Sequence, residues 1–541
     1  MLRAGRELLW EEGLAVGAEH VTFSRVFARL EATEGVRVTH ASVIKRIWRN
    51  QEAYQTAVVA RLAAADQWNV GKQLDAQLVW AIDSIEPDAE ASDEARWRAA
   101  IKVVRTGGAA TFDSVVRSRV WPRFAGIWAL AMADSDCERM APIVAALTEG
   151  ERRDARRFEG TYAAALDILG LRVRFPFTLH QFSVLLGAYT EGSAIRDRVD
   201  STMSQPIERP TGPAGEAEAW TPFTVGLEAL TRAFLEVDPD WTPPDPAHDR
   251  GAPCRPAASE VGSPTTLEEC TDDVPAGAAP RAGPTVGPAA PSRRRREELR
   301  ELLLSTGVDL LVEDGLASGA AHLGFRRVFD RVEAATGTRP HNAAVIGRIW
   351  PNQAAFQQDV LLSVVAEATE IMAGTADELP PALVTFDRST VEARWRSLGQ
   401  LCRTGGALTV EALGASRRWQ RWVGVWALVT AGSERSVDAS TPVREALRQG
   451  FGVTATRYEG LLLLVVGHLG FRLRPGLTLR HLTTAATALI EGCVLRYQGR
   501  ARSTGFVVRP TGPNGEDEEW TVFSVGLEAL LRGFLEVDEG S

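Results

Sequence analysis

Lysine is almost missing from this chain: Lys45, Lys72 and Lys102 are the three found in 541 residues. Arginine and alanine take its place, which reads as the codon bias of a GC-rich genome. Arginine abundance alone is therefore no sign of nucleic-acid binding. Cysteine is also scarce. Cys137, Cys254, Cys270, Cys402 and Cys493 form no CxxC, and none recurs at a matching position in the other half. A disulfide framework and a zinc site are both excluded by that pattern, and a reducing cytoplasm is expected. No uncharged apolar run reaches the roughly 20 residues that a membrane span needs. The segment Leu461-Leu462-Leu463-Leu464-Val465-Val466 is too short and reads as a buried helix. Charge is met at once at Arg3, Arg6 and Glu7, so no signal peptide is expected. No Ser/His/Asp order or paired-carboxylate motif recurs in both halves, so an enzyme is not expected, and neither a cofactor nor a metal is. The net charge of -10 excludes a wholly basic coat protein while allowing basic heads on an acidic body.

What the chain does have is a tandem repeat. Glu11-Glu12-Gly13-Leu14-Ala15 aligns with Glu313-Asp314-Gly315-Leu316-Ala317, and Ala95-Arg96-Trp97-Arg98 aligns with Ala393-Arg394-Trp395-Arg396. Further on, Arg209-Pro210-Thr211-Gly212-Pro213 aligns with Arg509-Pro510-Thr511-Gly512-Pro513. Order is preserved and gaps are small, so both halves are expected to share one fold. Between them residues 239–292 are rich in proline, glycine and alanine and carry no apolar periodicity. Such a segment buries too little apolar surface to offset its chain entropy. It reads as a flexible linker with a coil span of about 40 Å.

At the head of each half lies a short duplicated helix. The first copy is Ala41-Ser42-Val43-Ile44-Lys45-Arg46-Ile47-Trp48-Arg49-Asn50-Gln51. The second is Ala343-Ala344-Val345-Ile346-Gly347-Arg348-Ile349-Trp350-Pro351-Asn352-Gln353. In the first, Val43, Ile44 and Ile47 are expected to point inward, leaving Ser42, Lys45, Arg46 and Arg49 outside. A helix lies upstream with Thr22 as its expected N-cap and Val26, Phe27 and Leu30 on one face. The pattern is helix, helix, turn, helix, with a small core and a basic outer face.

The Trp-x-Asn-Gln ending and the preceding Glu11-Glu12-Gly13-Leu14 resemble the DNA-binding domain of the TetR family of bacterial regulators. The C-terminal helices of each half resemble the family's dimerisation pair. Phe stands at 27 and 329, where the family usually has a small residue, and Gln at 51 and 353, where it usually has Lys. The resemblance implies an all-α protein of two tandem TetR-like units. Each unit would hold a helix-turn-helix domain (1–60 and 293–362) and a helical ligand and dimerisation domain (61–238 and 363–538). It implies that Thr39, His40, Ser42, Lys45, Arg46 and Arg49 contact double-stranded DNA in the first head, with His341, Asn342 and Arg348 in the second. Arg293-Arg294-Arg295-Arg296 is either a DNA-touching arm or a basic linker end. It further implies a small-molecule effector, for which Trp97, Trp128, Tyr162, Trp395 and Trp426 could line pockets; core packing is the other reading of these aromatics. Helices at 178–196 and 221–236 are expected to pack on 478–497 and 521–536, as a pseudo-dimer within one chain or through a homodimer.

Two further motifs carry expectations. Arg105-Thr106-Gly107-Gly108 and its copy Arg403-Thr404-Gly405-Gly406 read as turns between helices. Arg209-Pro210-Thr211-Gly212-Pro213 reads as a rigid loop. The function expected is a cytoplasmic, ligand-responsive transcriptional regulator, in the first place a repressor. The alternative is a ligand-sensing or protein-binding module whose heads no longer touch DNA.

Overall fold

The computed structural model describes residues 1–12, 21–37, 46–63, 92–118, 121–133, 137–212, 215–242, 293–314, 323–340, 343–374, 386–430, 437–497, 505–512 and 515–538. The residues between Thr242 and Arg293 lie outside them. Among the described residues the chain is mostly helical, and no helix is long and apolar enough to cross a membrane.

The first half runs α1 (Leu2–Glu12), α2 (Phe23–Glu34), α3 (Gln51–Ala63), α4 (Asp93–Arg117), α5 (Trp121–Ala133) and α6 (Cys137–Leu169). Then come β1 (Leu171–Val173), α7 (Leu179–Asp197), β2 (Ile207–Pro210), β3 (Ala217–Trp220), α8 (Pro222–Phe234) and β4 (Leu235–Val237). The second half repeats the order. It has α9 (Arg293–Asp314), α10 (Phe325–Thr336), α11 (Ala343–Ile349), α12 (Gln353–Gly374), α13 (Val391–Leu401), α14 (Ala407–Ala415), α15 (Arg417–Thr430) and α16 (Val437–Leu469). It ends with β5 (Phe471–Leu473), α17 (Leu479–Tyr497), β6 (Phe506–Pro510), β7 (Asp517–Thr521), α18 (Val522–Phe534) and β8 (Leu535–Val537).

Three differences from the expectations have physical causes. First, the Arg-Thr-Gly-Gly motifs are not turns. Gly107 and Gly108 lie within continuous α4, and the copy forms a π-helical turn, Cys402–Gly406, between α13 and α14. The glycines serve packing. A Cβ on Gly108 would stand 2.6 Å from the Leu227 side chain, and one on Gly406 would stand 3.1 Å from Phe523. Close approach of α8 and α18 outweighs the roughly 1 kcal/mol that a helical glycine costs. Second, the Arg-Pro-Thr-Gly-Pro motifs are strand ends rather than plain loops. β2 pairs antiparallel with β3, and β6 with β7. In each ribbon the threonine closes the turn: Thr211 donates to Glu218 and accepts from the Trp220 indole, and Thr511 repeats this with Glu518 and Trp520. Third, the arginine run 293–296 opens α9 as helix, with Arg294 bonded to Glu298 one turn on.

The halves pack on each other along three helix pairs: α7 on α17, α8 on α18, and α5 on α15. These contacts are reciprocal. A Cβ on Gly192 would stand 1.8 Å from the Ala488 carbonyl oxygen, and one on Gly492 would stand 1.8 Å from that of Ala188. Glycine is thus required on both helices for the backbones to meet. Two crossed ion pairs flank this point. Arg196 grips Glu491 through two bonds of 2.9 and 2.7 Å, and Arg496 grips Glu191 through two of 2.8 and 2.7 Å. Residue i meeting j while j' meets i' is the contact pattern of an isologous interface.

Candidate functional site

Among the described residues the first head has α1 and α2 ahead of the long helix α3, and the second has α9, α10 and α11 ahead of α12. In the first, Thr22 caps α2 through a bond from the Arg25 amide, as its spacing predicts. Gly35 ends α2 in the left-handed region, φ 65°, and Gly337 ends α10 likewise at φ 70°. The Trp-x-Asn-Gln motif does two jobs in both heads. The tryptophan packs edge-on against the first aromatic of the long helix: Trp48 on Tyr54 and Trp350 on Phe356, each at 4.9 Å and 75°. The asparagine caps that helix: Asn50 Oδ1 accepts from the Ala53 amide at 2.8 Å, and Asn352 Oδ1 from that of Ala355 at 2.9 Å. An Asn at this position satisfies an otherwise orphaned amide.

The heads differ in how firmly this corner is held. Trp350 is buried and donates its indole N–H to Asp359, which also accepts from Arg300. The corresponding residue in the first head is Ala57, and Trp48 is only half-buried.

Of the expected DNA-contacting residues, Arg46, Arg49 and Arg348 are described, and all three are exposed. None makes a hydrogen bond or ion pair with a described residue. Thr39, His40, Ser42, Lys45, His341 and Asn342 lie outside the described residues. Ile47, expected to face inward, is 65% exposed. Val43 and Ile44 are outside the described residues. In the second head Ile346 takes the buried position on α11.

The long helices join head to body. α3 packs on α6 and α5, and α12 packs on α16 and α15. In the first half α5 and α6 also wall a cavity of about 120 Å³. Trp121, Trp128, Phe124, Phe158 and Tyr162 supply its apolar lining. Its rim holds Glu191 and Arg496, so the second half closes the first half's cavity. A second cavity of about 110 Å³ adjoins it, sharing Thr111, Phe158, Tyr162 and Thr190.

Trp128 and Tyr162 therefore line this space. Trp97 stands outside it, with the Arg232 guanidinium 5.2 Å over its ring. Trp395 is the counterpart of Trp97 and is covered in the same way by Arg532 at 4.6 Å, with Phe471 on it at 4.3 Å. Trp426 is fully buried and meets Trp121 of the other half edge-on at 6.4 Å. Large aromatics are drawn to cores and cavities by the same apolar surface, so sequence could not sort these five.

Two buried titratable groups are shifted by their surroundings. Glu491 is raised by burial and pulled back down by Arg196. Burial also pushes the Cys402 thiol well up, which keeps it protonated and inert. No group of metal-ligating side chains occurs among the described residues. No protein-family model, no curated protein and no solved structure matches this chain.

Proposed function

We propose that the protein is a ligand-responsive, sequence-specific DNA-binding regulator in which one chain does the work of two TetR-like subunits. The observation that carries this reading is the duplicated head. An exposed arginine with no partner among the described residues, Arg46 or Arg348, stands in each just before the same Trp and Asn corner, which leads into a helix entering the body. Exposed guanidinium groups on a short helix suit phosphate contacts and base edges in the major groove. The reciprocal packing of α7 on α17 and α8 on α18 supports a pseudo-dimer inside one chain. Arg46 and Arg49 on one head face a single Arg348 on the other, so the preferred operator is asymmetric.

The apolar cavities supply the effector site, for an apolar molecule. A ligand there presses on α5 and α6, against which α3 is packed, and on the Glu191–Arg496 pair that joins the halves. Occupancy would change the separation of the heads and release DNA.

The test is binding of the purified chain to its own upstream region. A salt-sensitive, sequence-specific shift is expected. Replacing Lys45 and Arg46 by Ala should abolish it with the fold intact. An acidic module that only senses ligand would bind no fragment, even at low salt.

A further inference from the structure

We propose that the two halves jointly form a binding site for one small oligophosphate anion, in a cleft between α8 and α18. The cleft measures about 610 Å³. Its walls hold Arg174, Arg209 and Arg232 from the first half and their counterparts Arg474, Arg509 and Arg532 from the second. The acidic groups lining it are Glu228 and Glu528. Six guanidinium groups against two lining carboxylates leave an excess of four positive charges, which Glu236, 3.8 Å from Arg174 Nε, reduces to three.

Each of the two carboxylates already holds two of the arginines. Glu228 takes Arg209 on one oxygen at 2.7 Å and Arg232 on the other at 2.9 Å. Glu528 takes Arg509 at 2.7 Å and Arg532 at 3.0 Å in the same way. Arg174 and Arg474 reach past them to the carbonyl oxygens of Arg232 and Arg532 at the ends of α8 and α18. A guanidinium carries five N–H donors in a planar fork. These bonds use only some of them on each arginine, so donors remain for a guest. The side chains are also held in place, since Arg209 stacks on Trp220 and Arg509 on Trp520, each at 4.6 Å. Held forks with spare donors match phosphate oxygens bidentately. The paired layout calls for a guest with at least two anionic groups, and the charge excess calls for a di- or triphosphate. The same chemistry is offered by inorganic polyphosphate and by a nucleotide. The assignment is independent of whether the heads bind DNA.

The experiment is calorimetric titration of the full chain with inorganic triphosphate at low salt. Binding with one anion per chain is expected, weakening as salt is raised. Arg232→Gln and Arg532→Gln each remove one fork from opposite walls and should weaken binding by similar factors, about tenfold each. Ala233→Glu adds a negative charge to the wall without touching an existing ion pair and should also weaken it. Folding of each variant is checked by its thermal transition. Tighter binding of a nucleoside triphosphate than of inorganic triphosphate would identify a nucleotide as the guest, and equal binding would identify the phosphate chain alone. No heat at millimolar triphosphate would overturn the proposal. So would binding unchanged in all three variants, or equal binding of citrate, which would show that phosphate is not read.

Discussion

At the residue scale the buried ion pair Arg196–Glu491 is the interaction least visible in the sequence. Its partners are 295 positions apart, and each looks like an ordinary helix-surface charge. Both side chains are only 4% exposed. Removing one partner would leave an uncompensated buried charge, so Glu491→Gln should destabilise the fold by about 3–5 kcal/mol. The reciprocal Glu191→Gln should cost less, because Glu191 and Arg496 are more exposed. Urea unfolding of both variants checks the order, and equal losses would refute it. His481 gives a pH test. It fills the N3 place of the α17 cap, where its ring accepts from the Thr478 amide, as Gln181 does with Thr178 in the first half. Burial lowers its pKa below 6.5. The unfolded chain then takes up the proton first as pH falls. Its contribution to stability is present above the unfolded pKa of about 6.5 and is lost as pH falls through the depressed folded value. His481→Gln should therefore narrow the gap between the melting temperatures at pH 7.5 and 5.5. An unchanged gap would rule this out.

At the element scale the sequence showed the corner of each head well and the bodies less well. The Trp-x-Asn-Gln motif and the Thr22 cap are local, and both act where their spacing placed them. The Arg-Thr-Gly-Gly motifs misled because tandem glycine signals a turn only when nothing packs on it. Here the partner is α8 or α18, more than a hundred residues away. The β-ribbons were hidden for a related reason. Strands of three to five residues are too short for alternation to stand out. Two of them, β2 and β6, end on the proline that made the motif read as a loop. The same close packing supports a prediction. Gly192→Ala or Gly492→Ala places a methyl group against a carbonyl oxygen of the opposite helix. Either should cost about 1–3 kcal/mol or more, measured as a drop in thermal stability. A neutral result would show that α7 and α17 do not meet so closely.

At the scale of the whole molecule the repeat in the sequence becomes one continuous core. The buried cluster includes residues of both halves, with Trp121 and Trp426 in contact across the join. The halves should thus stay together without a covalent link. Proteolytic cleavage between Thr242 and Arg293 should leave two fragments that co-elute on size exclusion, whereas separation into two species would show that the linker holds them. The repeat is not an exact copy, however. The second head anchors its tryptophan on Asp359, the first has alanine there, and among the described residues Arg46 and Arg49 of the first are matched by Arg348 alone at the same two places of the second. A single chain with unlike heads should read an unlike pair of half-sites. Selecting fragments of genomic DNA bound by the purified full-length chain tests this most directly. The expected result is an enriched motif of two different half-sites at a fixed spacing. No enrichment over the input at low salt would contradict DNA reading, and a perfect palindrome would contradict the single-chain pseudo-dimer.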